Sequence, residues 1–131
     1  VILGLTLLYL DGWNARRHAI AGVYRKLLQD LPIFMPVEVW NTDQVHHLFP
    51  IAAPARAELL KFLRARGIES GVHYPIPLHL QPAFAYLAQQ GGAFPVAERI
   101  GREELSLPIG PFLSDEQVDL VCDTVRKFFR A

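Results

Sequence analysis

Apolar side chains recur at three- and four-residue spacing from Asp11 onward, at Trp13, Ile20, Val23, Tyr24, Leu27, Leu28 and Leu31, with Arg16, Arg17, Arg25 and Lys26 between them. That period puts one apolar stripe on a helix. The helix must end before Pro32, whose ring disfavours helical backbone in the preceding residue. The segment from Ile33 to Thr42, braced by Pro32 and Pro36, reads as a linker with at most an edge strand. Val45, His47, Phe49 and Ile51 then alternate with His46, Leu48 and Pro50, a two-residue period that predicts a strand running into a turn at Ala52, Ala53 and Pro54. A second helix is expected from Ala55 to Arg66, burying Leu59, Leu60, Phe62 and Leu63, with Gly67 as its left-handed C-cap. Ile68 to His73 follows as a short strand, so strand, helix and strand have the size of a βαβ crossover whose two strands can share a sheet.

Three prolines, Pro75, Pro77 and Pro82, exclude regular structure over Tyr74 to Pro82. Pro82 to Gln90 reads as a short helix stopped by Gly91 and Gly92, and Pro95 opens another over Val96 to Glu104. Leu105, Ser106 and Leu107 form a brief strand. The final helix is the best marked: Ser114 and Gln117 make a capping box, Asp115 and Glu116 lie at its positive end, and Val118, Val121, Cys122, Val125 and Phe129 form its core face. The sum is a two-layer α/β or α+β domain, helices packed on a small mixed or antiparallel sheet, with residues 1–131 as one domain.

Composition narrows the function classes. Thirteen basic residues balance thirteen acidic ones among 131, so no net field attracts nucleic acid or an anionic membrane surface. The opening run VILGLTLLYL is too short for a bilayer, which needs roughly 20 apolar residues. A single cysteine, Cys122, on an apolar helical face reads as a structural thiol and suits a reducing, cytoplasmic setting. The chain starts at Val1 and lacks a charged stretch before the apolar run, which suggests a fragment whose natural start lies upstream.

Four of the five histidines, His46, His47, His73 and His79, could converge at strand ends, but neighbours on a strand point to opposite faces and no cysteine or helical histidine pair joins them. A metal site is therefore not expected. Ser70, Ser106 and Ser114 lack the tight turn of a nucleophile elbow. The run from His73 to Pro82 stands out instead, a proline-braced loop that fixes two imidazoles, a phenol and an amide. It suits either a positioned site or a plain rigid connector.

Gly71-Val72-His73-Tyr74-Pro75-Ile76-Pro77-Leu78-His79 resembles the histidine-tyrosine-proline signature of the DegT/DnrJ/StrS aminotransferases. Further segments agree in order. Leu10 to Arg17 is similar to the family's bridging helix, His46 to Ile51 to its next strand, Phe94 to Arg99 with Leu105 to Pro108 to its late segment, and Ser114 to Val118 to its closing helix. The resemblance runs from Leu10 onward; the preceding residues lack the lysine-proline character usual before that helix.

The resemblance implies the small C-terminal domain of a fold-type-I transferase, with residues 1–31 as the bridging-helix region that packs on a large domain. It implies a homodimer in which pyridoxal phosphate carries an amino group from an amino acid, commonly glutamate, to a keto nucleotide-sugar. The Schiff-base lysine of such enzymes lies in the large domain, and Lys26, Lys61 and Lys127 match no such motif. No catalytic residue is therefore expected in this chain, and its cofactor contact is expected only in the full-length enzyme. By the same resemblance His73, Tyr74 and His79 are expected to bind substrate at the active-site margin. Two other readings stay open: a non-catalytic interaction or regulatory module of this family, and a relative of its pyridoxal-phosphate-dependent sugar dehydratases.

Overall fold

The computed structural model describes residues 2–37, 44–87 and 91–130. A short helix α1 (Ile2–Leu7) leads into the long helix α2 (Leu10–Leu28), followed by β1 (Phe49–Ala52), α3 (Arg56–Arg64), α4 (Pro95–Glu103), β2 (Glu104–Leu107) and α5 (Asp115–Arg130). Two 3₁₀ turns, Leu78–Leu80 and Pro82–Leu87, lie between α3 and α4.

The sheet is built on β2. β1 pairs with it antiparallel, Phe49 opposite Leu107 and Ile51 opposite Leu105. Ser106 exchanges both backbone bonds with Gly71 on the other edge, and Ala52 does the same with Phe34 beyond β1. Pro50 stands opposite Ser106, whose backbone groups point to Gly71, so its missing N–H removes no bond from the β1–β2 ladder. The sheet expected to hold both the strand near Val45 and the one near Val72 has, among the described residues, two strands, β1 and β2, and the segment near Val72 meets it only through the isolated antiparallel bridge of Gly71 to Ser106.

Several expected elements are shorter in the structure. The strand foreseen from Val45 starts only at Phe49, because His46 takes a left-handed conformation, φ 48°, that interrupts extended backbone. The strand foreseen over Ile68 to His73 reduces to one bridge at Gly71. Leu78–Leu80 forms a 3₁₀ turn where the prolines had argued against any regular structure; Pro77 precedes it and Pro82 follows it, so neither removes its bond. The helix foreseen over Pro82–Gln90 is a 3₁₀ helix as far as Leu87, its last residues lying outside the described ones, as do residues 38–42 of the expected linker.

The core sits between the sheet, α2, α3 and α5. Ile20, Ala21, Tyr24 and Leu28 of α2 meet Val118, Val121, Cys122 and Val125 of α5, and Leu59 and Leu63 of α3 close the cluster. Gly67 takes the left-handed C-cap, φ 74°, and Ser114 and Gln117 exchange the two bonds of the capping box. Phe129, foreseen in the core, packs half-buried at its margin. Burial pushes the Cys122 thiol up to about 12, which keeps it protonated and inert.

Two arginines hold α2 and α5 side by side and parallel. Arg16 donates to the Leu113 carbonyl at 2.6 Å and pairs with Asp115 at 2.8 Å near the start of α5. Arg126 grips both oxygens of Asp30 at 2.6 and 2.7 Å and caps the Leu27 carbonyl at the end of α2. Its hydrogen bond holds the Asp30 carboxyl below the usual carboxylate range.

Tyr24 fastens this helix layer to the strand end. Its ring packs on Phe49, centroids 5.1 Å apart, and its hydroxyl donates to the Pro108 carbonyl at 2.6 Å. Burial raises its phenol above the ordinary titration range. Tyr24→Phe keeps the ring and strands the carbonyl, so we expect a loss of about 1–2 kcal/mol in urea unfolding. An unchanged midpoint would mean that the bond adds nothing to stability.

Candidate functional site

Beyond the core face of β2 lies a cleft of about 670 Å³, walled by β2, the proline loop and α4. Its lining is mostly apolar, with Leu48, Pro50, Leu78, Phe94 and Ile100 around a few polar groups. The two-residue period of β2 explains this. Leu105 and Leu107 enter the core cluster, so Glu104 and Ser106, one residue out of phase, face the opposite side and line the cleft.

All three expected site residues, His73, Tyr74 and His79, line this cleft. His73 is anchored twice: its backbone N–H donates to Glu104 Oε2 at 2.9 Å, and its Nδ1 lies 3.1 Å from Ser106 Oγ. The Ser106 hydroxyl in turn reaches Glu104 Oε1 at 3.0 Å. Both residues are buried, whereas the His73 side chain remains 39% exposed. Gly71 makes room for the ring, since a Cβ there would stand 3.0 Å from His73 Cε1.

Tyr74 differs from its neighbour. It is 85% exposed and takes φ 54°, a region that non-glycine residues enter at a cost of order 1 kcal/mol or more. His79 is sealed instead, its side chain only 8% exposed, with Nε2 3.1 Å from Glu98 Oε1 and its ring edge-on to Phe94 at 4.8 Å. The same Glu98 oxygen accepts the N–H groups of Gly92 and Phe94. The Gly92 N–H above all, then the His79 ring and the Phe94 N–H, holds the Glu98 carboxyl below the usual carboxylate range.

The two histidines before β1 lie apart from the cleft. His46 is buried between His18, 5.7 Å away, and Phe49, while His47 is exposed. Among the described residues no three His, Cys, Asp or Glu side chains are grouped to hold a metal ion. Lys26, Lys61 and Lys127 are exposed on α2, α3 and α5, and none of them lines the cleft.

Glu98, Glu104, Ser106 and Gly101 belong to the site without having been foreseen. The signal for two of them was present: in Glu104-Leu105-Ser106-Leu107 the polar residues alternate with leucines, which places both carboxyl and hydroxyl on one face. Gly101 gave none, because its role depends on what the fold brings against it.

The profile of the DegT/DnrJ/EryC1/StrS aminotransferase family matches residues 2–126. The chain belongs to this family. It is 46% identical over 128 residues to the dTDP-3-amino-3,4,6-trideoxy-alpha-D-glucose transaminase of Streptomyces venezuelae, covering 97% of this chain and 34% of that protein. It is 40% identical to a pleiotropic regulatory protein of Geobacillus stearothermophilus, covering 98% and 36%. Its backbone superposes on the crystal structure of S. venezuelae DesV in complex with a ketimine intermediate with a TM-score of 0.94 at 45% identity, over 99% of this chain and 35% of that one. The chain therefore spans about a third of the length of these relatives, and the parts matched lie toward their C-terminal ends.

Gly101 controls how closely α4 approaches the loop. A Cβ there would lie 3.1 Å from both the Pro75 carbonyl oxygen and Pro77 Cδ. Alanine favours the helix by about 1 kcal/mol, but overpacking costs about 1–3 kcal/mol, and rigid prolines yield little. We expect Gly101→Ala to destabilise the chain and to shift backbone amide signals chiefly over residues 73–79. A more stable variant with an unmoved loop would refute this close packing.

Proposed function

We propose that the chain is the C-terminal domain of a pyridoxal-phosphate-dependent aminotransferase acting on a keto nucleotide-sugar, with glutamate as the amino donor, and that its cleft forms one wall of the substrate site. The observation that carries this reading is the pairing of a firmly oriented imidazole, His73, with an exposed phenol, Tyr74, on strained backbone at the cleft rim. Strain of this kind persists where surrounding structure enforces it and is concentrated at ligand sites. The similarity to the S. venezuelae transaminase, a nucleotide-sugar enzyme by its name, supports the substrate class.

Pyridoxal phosphate supplies an electron sink when bound. This chain's residues do not fit its covalent capture, because no lysine reaches the cleft. Their part is to bind and orient: His73 and Tyr74 offer polar contacts to the sugar, His79 with Glu98 fixes the wall that carries Phe94, and the apolar lining excludes water. Cys122, buried as a free thiol, supports a cytoplasmic setting. The name of the Geobacillus relative favours a second reading, a regulatory module that keeps the fold without the reaction.

A chimera tests the first reading against the second. This chain should replace the matched C-terminal third of the S. venezuelae transaminase and restore amino transfer to a keto nucleotide-sugar, and His73→Ala in the chimera should lower turnover at least tenfold. A folded chimera that takes up pyridoxal phosphate and transfers nothing would sink the aminotransferase reading. The chain alone, mixed with pyridoxal phosphate and reduced with borohydride, should give no stoichiometric adduct on Lys26, Lys61 or Lys127.

The homodimer belongs to the same proposal. Leu3, Leu5, Leu7, Leu8 and Tyr9 are 58–80% exposed on and just after α1, an apolar surface that suits cover by a large domain or a second subunit. Sedimentation of the isolated chain should show concentration-dependent association, weakened by Leu5→Glu and Leu8→Glu. A monomer at all concentrations would count against this face as a contact.

A further inference from the structure

We infer that Glu104 and Ser106 act together as a tautomer lock on His73, so that its Nε2 meets the cleft as a hydrogen-bond acceptor. A serine hydroxyl has one proton and a carboxylate has none to give. Ser106 Oγ lies 3.0 Å from Glu104 Oε1 and 3.1 Å from His73 Nδ1. If the hydroxyl pointed at His73, two bare oxygens would face each other at 3.0 Å in a buried place. The carboxylate cannot turn away, because its Oε2 already accepts the His73 backbone N–H at 2.9 Å.

Ser106 therefore donates to Glu104, and its lone pairs face Nδ1, which must carry the imidazole proton. The approach of Glu104 Oε1 to Nδ1, 3.8 Å, favours the same arrangement. In the neutral ring Nε2 is then bare. No hydrogen bond to Nε2 occurs among the described residues. Glu104 and Ser106 are positioning residues, and the hydrogen bond on one ring nitrogen sets the polarity of the other.

The consequence for ligand choice rests on the proposed function. The group that neutral His73 receives from a sugar is a donor, a hydroxyl or an amine, and not the keto oxygen or a phosphate. That assigns His73 to holding a hydroxyl of the sugar or its new amine. It leaves polarisation of the reacting carbonyl to other groups.

The test is a long-range proton–nitrogen correlation of the histidine rings in the nitrogen-15-labelled chain at neutral pH, with His73→Gln identifying the signal. We expect a protonated, pyrrole-type Nδ1 and a bare, pyridine-type Nε2 for His73. Glu104→Gln lets the new amide donate to Ser106 Oγ, freeing its hydroxyl for Nδ1, so the proton should move to Nε2. Ser106→Thr, which keeps the hydroxyl, should leave the original pattern in place, and Ser106→Ala should too, because Glu104 Oε1 is then the acceptor nearest Nδ1. Should Glu104→Gln fail to fold, the wild-type tautomer decides, since a hydroxyl committed to Glu104 leaves Nδ1 no proton to accept. A wild-type His73 protonated at Nε2, or an unmoved pattern in a folded Glu104→Gln chain, overturns the lock. Because the measurement uses neither cofactor nor sugar, its outcome is independent of whether the chimera transfers an amino group.

Discussion

Glu104 is the residue on which the cleft half of the structure depends. Its carboxylate, buried in β2, accepts the His73 backbone N–H and the Ser106 hydroxyl, and its carbonyl shares Arg56 with the Gly101 carbonyl. The start of α3, the end of α4, the strand and the proline loop thus meet at one residue. A carboxylate in such a place is tolerated only when its oxygens are matched. The matching groups are the ones that orient His73, so the requirement that stabilises the strand also aims the imidazole.

The loop beyond His73 is rigid for independent reasons. Pro75 and Pro77 fix their own backbone, and Gly101 lets α4 press against both. Tyr74, between His73 and Pro75, is confined on both sides, which is how a left-handed tyrosine persists despite its cost. The loop therefore has little conformational entropy left to lose, as the binding role proposed for it requires.

Much of this was legible in the chain. Helix periods placed α2 and α5, the Ser114 and Gln117 box fixed where α5 begins, and Gly67 marked the end of α3, because each is a local preference acting on local backbone. The segments near Val45 and Val72 were overextended, since alternation in sequence does not register a left-handed turn such as that at His46. The ordered motifs around His73 and Tyr74 pointed to the family. The alternation over 104–107 puts Glu104 and Ser106 on one face, but it does not reveal their partner, about thirty residues away in sequence and brought there by tertiary packing.

The two histidines of the proline loop are chemically unequal, although the sequence presents them as a pair. His79 could meet a ligand through Nε2 only by releasing Glu98, which also holds the N–H groups of Gly92 and Phe94. Opening that contact would loosen the turn before α4 and the Phe94 wall of the cleft together. His73 faces no such choice, because the bonds that fix it use its backbone and Nδ1. On the proposed reading the sealed imidazole therefore serves the wall, and the half-exposed one serves the cleft.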